Sequence, residues 1–279
     1  MAKAQVTDAQ IKAQILARNQ QQQTTVESQF PTEIVPLPSK GLVYPKDHPL
    51  AVGQIELRYM TAKDEDILTN QNYLKQGIAL DKLYKSLIVG NGKGQAVNIE
   101  DMIMGDRSAV MLAARVLGYG SDYEITITHP ETGKPIKHIV DLNQLKPRSI
   151  DESLYNNSRE FQYTLPISKK EVTIILQTAV EQKNIAREVA KQEKNGVPPK
   201  NTTTMLKHVI TSVDGETDKK AIAKFIDTQL LARESLLLRS HIIDITPDYD
   251  LAIQVTIPEE NYDELVALPI DVDFFWPRS

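Results

Sequence analysis

Two places in the sequence combine side-chain types and spacings that could support chemistry: the consecutive carboxylates Asp64, Glu65 and Asp66, and the glycine-rich loop from Gly90 to Gly94. Adjacent carboxylates can bind a divalent cation or exchange protons, and glycine-rich loops can hold phosphate groups. Together they define one alternative for the function, which is a metal- or nucleotide-dependent enzyme.

Both features also have a simpler structural explanation. Thr61 and Asp64 have the spacing of a capping box, and acidic side chains in the first turn of a helix are stabilised by the helix dipole. The loop contains a lysine, but it lacks the residue order of a phosphate-binding loop, and no hydrophobic strand leads directly into it. We therefore expect a helix start and a flexible loop, and we predict no catalytic residue, no cofactor and no metal site.

The sequence has no cysteine and five histidines, at positions 48, 129, 138, 208 and 241. The lack of cysteine excludes disulfides, thiolate zinc sites, cysteine-ligated iron–sulfur clusters and thiol nucleophiles. No two histidines are three or four positions apart, so a single helix face cannot offer a pair of them to a metal. The motifs GxSxG and HExxH are absent as well, and no hydrolase constellation emerges.

The formal net charge of −5 is concentrated near the C-terminal end, where residues 241–279 carry one cationic and nine anionic side chains. Such a surface repels phosphate backbones, and no basic stripe stands out elsewhere, so we expect no nucleic-acid binding. The acidic end is either a solvated surface or a docking site for a basic partner. No apolar run approaches the ~20 residues that cross a bilayer, so we also expect no membrane span.

The order of the predicted elements indicates an α+β fold with an N-terminal helical part, central β-hairpins, a helical section and closing C-terminal strands. Residues 1–30 are Gln-rich with few apolar positions, and we expect a flexible N-terminal helix or arm. Residues 31–52 contain five prolines, which block helix, and enough apolar side chains to attach an extended strap to a folded body. The remaining regions are an α+β core with two hairpins at 53–178, the helical section at 179–244, and strands that complete the core at 245–279.

Periodicity predicts the individual elements within these regions. A strand spans 53–60, a helix follows Thr61, a second spans 77–89, a short helix follows Asn98, and Asp106 caps a helix that ends at Leu117. The hairpins pair 123–128 with 136–142 and 161–165 with 171–176. The helical section holds helices at 179–194, 203–213 and 219–242, and the closing strands are 251–257 and 268–276.

Four stretches carry a resemblance more specific than any short motif: PLPSKGLVYP (36–45), a segment at 60–88 that begins MTAKDEDIL, a segment at 99–123 that contains GDRSAVMLAARVLGYG, and VDFFWP (272–277). They resemble the baseplate hub protein family of T-even-like contractile-tail bacteriophages. The resemblance implies a late viral protein that acts as a hub subunit or a hub assembly chaperone, without catalysis. It implies other phage baseplate and hub proteins as partners, and a location in the virion tail baseplate or in the host cytoplasm during assembly.

The resemblance also implies that relatives carry cysteine pairs where this chain has THPETGK (128–134), and again before the last strand. Such pairs suit a zinc ribbon, and their absence here argues against zinc. We therefore expect the turn from His129 to Gly133 to be held by backbone geometry alone.

Six apolar side chains are candidates for binding these partners or a second copy of the chain: Leu37, Tyr44, Leu237, Phe274, Phe275 and Trp276. Leu237 stands between two other leucines, and three consecutive side chains cannot share one helix face. Its segment is therefore predicted to be buried on most sides or to form a partner interface. The terminal aromatics alternate with acidic residues as in a strand, and they either close the core or anchor a neighbouring subunit.

Overall fold

A computed structural model of the protein describes residues 30–258, 262–270 and 272–275, and the side chains of 272 and 273 are not described. The predicted arm at residues 1–30 falls outside this part of the chain except for its last residue, and so does Trp276. The described residues form an α+β fold, as predicted, in which helices pack on small antiparallel sheets.

The strap begins as an edge strand. A three-stranded antiparallel sheet is formed in the order β1 (Thr32–Pro36), β2 (Gln54–Arg58) and β3 (Ile88–Gly90). Strand β2 alternates as predicted, because Ile55 and Leu57 are fully buried between polar neighbours. Between β1 and β2 the strap folds back on itself, and a side chain on Gly41 would collide with the carbonyl oxygen of Ala51. Glycine at φ 81° is therefore required at this turn.

Three helices lie between β2 and β3, namely α1 (Ala62–Thr69), α2 (Gln71–Lys75) and α3 (Ala79–Leu87), and α4 (Met104–Tyr119) follows β3. The capping box of Thr61 and Asp64 at the start of α1 is confirmed, and Asn98 caps a short 3-10 turn as expected. The prediction that Asp106 caps α4 is wrong, because the helix already begins at Met104 and Asp106 lies buried inside its first turn. The helix also runs on to Tyr119 and ends at Gly120, whose φ of 83° is favourable only for glycine.

Both predicted hairpins are confirmed. The first pairs β4 (Asp122–Thr128) with β5 (Pro135–Asp141), and the second pairs β6 (Glu160–Thr164) with β7 (Glu171–Ile175). A further strand, β8 (Ile210–Val213), lies beside β7, where a helix to residue 213 was predicted. That prediction is wrong because the β-branched residues after Val209 pair with β7 instead of continuing the helix.

The helical section consists of α5 (Ala179–Lys194), α6 (Asn201–Val209), α7 (Lys219–Thr228) and α8 (Ala232–Ile245). A capping box of Thr178 and Glu181 starts α5. The predicted single helix at 219–242 is wrong, because Leu231 is extended and separates α7 from α8. The amides of Gln229 and Leu230 both bond to the carbonyl oxygen of Phe225, which closes α7 before the new helix begins.

The C-terminal region forms a hairpin of β9 (Ala252–Ile257) and β10 (Tyr262–Ala267), followed by a 3-10 turn at Val272–Phe275. The predicted strand at 268–276 is therefore wrong, whereas the strand at 251–257 is confirmed. Phe274 and Phe275 are both fully buried, although adjacent strand residues point to opposite faces of a sheet. A turn allows two consecutive rings to enter the same core, and they pack edge to face with their centroids 5.4 Å apart.

The buried apolar side chains form one cluster that extends from the strap to the C-terminal turn. Within the ranges described above, no helix has the combined length and apolar character that a membrane crossing requires.

Candidate interaction surfaces

Asp64 of the carboxylate cluster points into the body and links three elements. Its oxygens accept two hydrogen bonds of 2.8 Å from the Arg58 guanidinium and one of 2.7 Å from the hydroxyl of Ser86, and the amide of Thr61 donates another. Burial alone raises the pKa of this carboxyl, but the hydrogen bonds from Arg58 and Ser86 outweigh it and hold the pKa well below its usual range. Asp64 is therefore an ionised structural group that joins β2, α1 and α3.

The other two carboxylates of the cluster diverge from Asp64. Glu65 accepts a hydrogen bond of 2.8 Å from the hydroxyl of Tyr119 on α4, and Asp66 is exposed. Across the described part of the chain, no group of three or more acidic or histidine side chains is arranged to hold a metal ion. The geometry therefore gives no support to a metal site at this cluster.

The loop from Gly90 to Gly94 is organised by one buried side chain. The amide oxygen of Asn91 accepts hydrogen bonds from the backbone amides of Lys93 and Gln95, and its amide nitrogen donates to the carbonyl of Pro49. Loops that bind phosphate offer free backbone N–H groups, and here the Asn91 side chain already occupies that of Lys93 within the loop and that of Gln95 directly after it. The loop fastens the strap to β3, and its geometry does not resemble a phosphate site.

The strap is anchored to α4 by Asp106. The carboxylate accepts hydrogen bonds from the amide and hydroxyl of Ser39, at 3.0 and 2.7 Å, and from the hydroxyl of Tyr44 at 2.6 Å. Burial raises the pKa of Asp106 to about 6, although these hydrogen bonds oppose the rise. Leu37 and Tyr44 are nearly inaccessible, so in this conformation these two candidate partner-binding residues pack in the core.

The C-terminal turn is held by a buried arginine of α4. The Arg115 guanidinium donates to the carbonyl oxygens of Phe274, Gly120 and Asp122, at 2.9, 2.6 and 2.8 Å. Since Phe274 and Phe275 are inaccessible, they too offer no side-chain surface to a partner in this conformation. Sequence reasoning missed Arg115, and the one available signal was a cation within an otherwise apolar helix turn.

His129 stabilises the first hairpin's turn. Its Nδ1 accepts hydrogen bonds from the amides of Glu131 and Thr132, at 3.1 and 3.3 Å, and its ring lies 6.0 Å from that of Tyr262 on β10. The expectation that backbone geometry alone holds this turn is therefore wrong. The His129 side chain closes the turn and also brings the β4–β5 hairpin into contact with the C-terminal hairpin of β9 and β10.

A groove of about 450 Å³ opens between the α2–α3 segment, α4 and α5. Its surface is mostly apolar. It is lined by Leu74 of α2 and Leu80 of α3, by Met104 and Met111 of α4, and by α5 side chains that include Ala179, Lys183 and Ala186.

An ionic network fixes the three helices around the groove. Asp81 of α3 pairs with Arg107 of α4 and, at 2.9 Å, with Lys183 of α5; Lys183 also reaches Glu100 at 3.2 Å. Burial tends to raise the pKa of Asp81, but hydrogen bonds from Lys183 and Arg107 outweigh it and lower the pKa. The Arg107 guanidinium also lies over the ring of Tyr84. The groove is therefore pre-formed, because its walls are connected by charge-assisted hydrogen bonds.

A second apolar surface lies on the outer face of α8. Leu238 is fully buried, whereas Leu236 and Ile243 are more than half exposed and Leu237 is 36% exposed. The three consecutive leucines therefore point in different directions, as predicted from the sequence. Among the candidate partner-binding residues that the structure describes, Leu237 alone keeps a substantially exposed side chain.

Comparison with known protein families matches residues 34–275 to the family described as T4 bacteriophage base plate protein. No curated protein and no solved structure matches the chain. The family match covers the strap, the groove helices, both central hairpins and the C-terminal turn. The chain therefore belongs to the T4 bacteriophage base plate protein family and is a T4-like phage baseplate protein.

Proposed function

We propose that this phage baseplate protein acts in the hub of the tail baseplate, as a hub subunit or as a chaperone of hub assembly, by binding other hub proteins and without catalysis. It would act in the virion tail or in the host cytoplasm while tails are assembled. The observation that carries the proposal is the pre-formed apolar groove between α3, α4 and α5.

The shape and lining of the groove suit an amphipathic helix of a partner. Peptide helices bind in apolar grooves through side chains spaced three, four and seven positions apart. Methionine side chains such as Met104 and Met111 are flexible and polarisable, so they adapt to the shape of an incoming side chain. Lys183 and Glu100 at the rim could orient a charged partner residue, because both are partly exposed.

The acidic hairpin of β9 and β10 supports a second contact with the hub. Asp263 and Glu264 are exposed, and Leu265 beside them is 68% exposed. A basic and partly apolar segment of a partner would complement this surface. The N-terminal arm at residues 1–30 is a third proposed contact, and it lies mostly outside the described residues.

A groove-filling substitution tests the proposal. Ala186→Trp places a large ring in the groove from the exposed wall of α5, so we expect an unchanged melting temperature and a loss of hub binding. The readouts are co-purification with separately expressed hub proteins and complementation of a phage that lacks this gene. Ala190→Trp is the matched control, because Ala190 is exposed on the same helix but does not line the groove.

If Ala186→Trp binds and complements as well as Ala190→Trp does, the groove is not the hub contact. Mass spectrometry then separates the two roles within the proposal. A hub subunit is present in finished virions, whereas an assembly chaperone is found only in lysates of infected cells.

A further inference from the structure

The outer face of α8 presents exposed apolar side chains between an exposed cation near its beginning and an exposed anion near its end. We propose that this face is the contact between two copies of the chain, which pair their α8 helices antiparallel about a two-fold axis. This contact is independent of the groove, which lies on other helices.

The buried side of α8 fixes which residues face outward. Glu234, Leu238 and Ile245 are buried, and Glu234 accepts hydrogen bonds from the turn between β6 and β7. A helix turns by about 100° per residue, so the opposite face presents Leu236, Ser240 and Ile243. Arg233 and Asp244 flank this face, and the structure places both of them among the exposed residues.

The charges at the two ends of the face are opposite in sign and unpaired within the described part of the chain. No ion pair joins Arg233 or Asp244 to another described residue. In an antiparallel pair of helices, the beginning of one helix lies beside the end of the other. Arg233 of each copy would then face Asp244 of the other, and the two helix dipoles would also be opposed favourably.

The exposed apolar side chains of α8 are centred on nearly the same position along the helix as the two charged side chains. The midpoint between Leu236 and Ile243 along the helix lies within one residue of the midpoint between Arg233 and Asp244, which is about 1.5 Å of helix rise. One two-fold axis therefore pairs leucine with isoleucine and arginine with aspartate at once. Such a contact is isologous, the commonest kind in homodimers. Ser240 lies near the axis, and its small side chain lets the two backbones approach.

The size of the surface limits the strength of the proposed contact. Two helix faces of this length bury less than the ~1,200 Å² of a standard interface, so we expect a weak dimer. Sedimentation velocity of the full chain should be measured at low salt, over protein concentrations on the order of 1 to 300 µM. It should show a reversible monomer–dimer equilibrium with a Kd in the micromolar range.

Charge reversal tests the geometry of the pair. Arg233→Asp alone opposes two aspartates, and Asp244→Arg alone opposes two arginines, so each should raise the dimer Kd roughly tenfold. The double variant Arg233→Asp, Asp244→Arg restores opposite charges and should return the Kd to within about threefold of the original value. Circular dichroism melting confirms that each variant is folded.

Two outcomes would overturn the proposal. The first is a chain that remains monomeric at the highest concentration. The second is a double variant that dimerises no better than the single variants, because an antiparallel pair about this axis requires the rescue.

Discussion

Helices α4 and α8 are of similar length and both contain apolar and charged residues, but the fold uses them in different ways. Nine of the 16 residues of α4 are buried, and they include Asp106, Arg107 and Arg115. Only three of the 14 residues of α8 are buried, and Leu236, Leu237 and Ile243 face outward. Helix α4 therefore holds the fold together from inside, whereas α8 keeps apolar side chains exposed on the surface. We expect the effects of substitutions to differ accordingly.

The largest effect is expected at the C-terminal turn that α4 anchors. Phe274→Ala leaves a cavity beside Tyr123, whose ring packs edge to face on it at 5.1 Å, so the free energy of unfolding should fall by about 4 kcal/mol. Urea denaturation measures the change. Leu236→Ala is the control on α8, where a loss below about 1 kcal/mol is expected because the side chain is mostly exposed. Equal losses at the two positions would remove the distinction between the helices.

Replacing the buried arginine should have the next largest effect. Arg115→Met keeps the apolar stem but leaves three backbone carbonyls without their donor, so we expect the free energy of unfolding to fall by about 3 kcal/mol. The control, Arg233→Met on α8, should change it by less than about 0.5 kcal/mol. An Arg115→Met protein as stable as the original would show that the C-terminal turn is held in another way.

The buried Asp106 should make stability depend on pH. Its pKa is raised from 3.8 to about 6 by burial, and the nearby Asp248 adds to the rise, so the folded state holds its proton at higher pH than the unfolded state does. The contribution of Asp106 to the free energy of unfolding is fully present below pH ~4, and it falls by about 3 kcal/mol as the pH rises through ~6. The test is the difference in unfolding free energy between the original protein and Asp106→Asn at several pH values. A difference that does not change between pH 4 and pH 7 would contradict the prediction.

The smallest effect on stability is expected on α8 itself. Leu237→Asp should lower the free energy of unfolding by only about 1 kcal/mol, because part of the side chain already contacts water. Self-association should weaken, because Leu237 lies about 100° around the helix from Leu236 and therefore borders the proposed contact face. Leu238→Asp, one position further, places an unpaired charge in the core and should prevent folding. Thermal melting and sedimentation of both variants give the comparison. A Leu237→Asp protein that melts normally and associates normally would show that this part of α8 is peripheral.

The sequence predicted those features that depend on neighbouring residues. The capping box at Thr61, the alternation of β2 and the two central hairpins follow from local periodicity and turn residues, and the structure confirms them. Wrong predictions arose where distant residues decide the outcome. Asp106 looked like a helix cap, but it is recruited as a buried acceptor by Ser39 and Tyr44, more than 60 positions away.

Distant contacts also decide the structure of the C-terminal region. Acidic and aromatic residues alternate near the end of the chain as they would in a strand, yet the Arg115 side chain draws the Phe274 carbonyl into a turn. Likewise, α7 and α8 have a continuous apolar pattern, and only packing on the β6–β7 turn shows where the second helix begins. The groove could not have been predicted, because its walls come from segments far apart in the sequence.

A photo-crosslink from the groove tests most directly whether the groove receives a hub protein. A benzophenone side chain at position 186 should crosslink, during tail assembly, to one hub protein that mass spectrometry identifies among the products of the phage's own tail genes. The same group at Thr126, which is exposed on β4 away from the groove lining, should give no such product. No crosslink from position 186, or the same products from both positions, would contradict the proposal that the groove receives a hub partner.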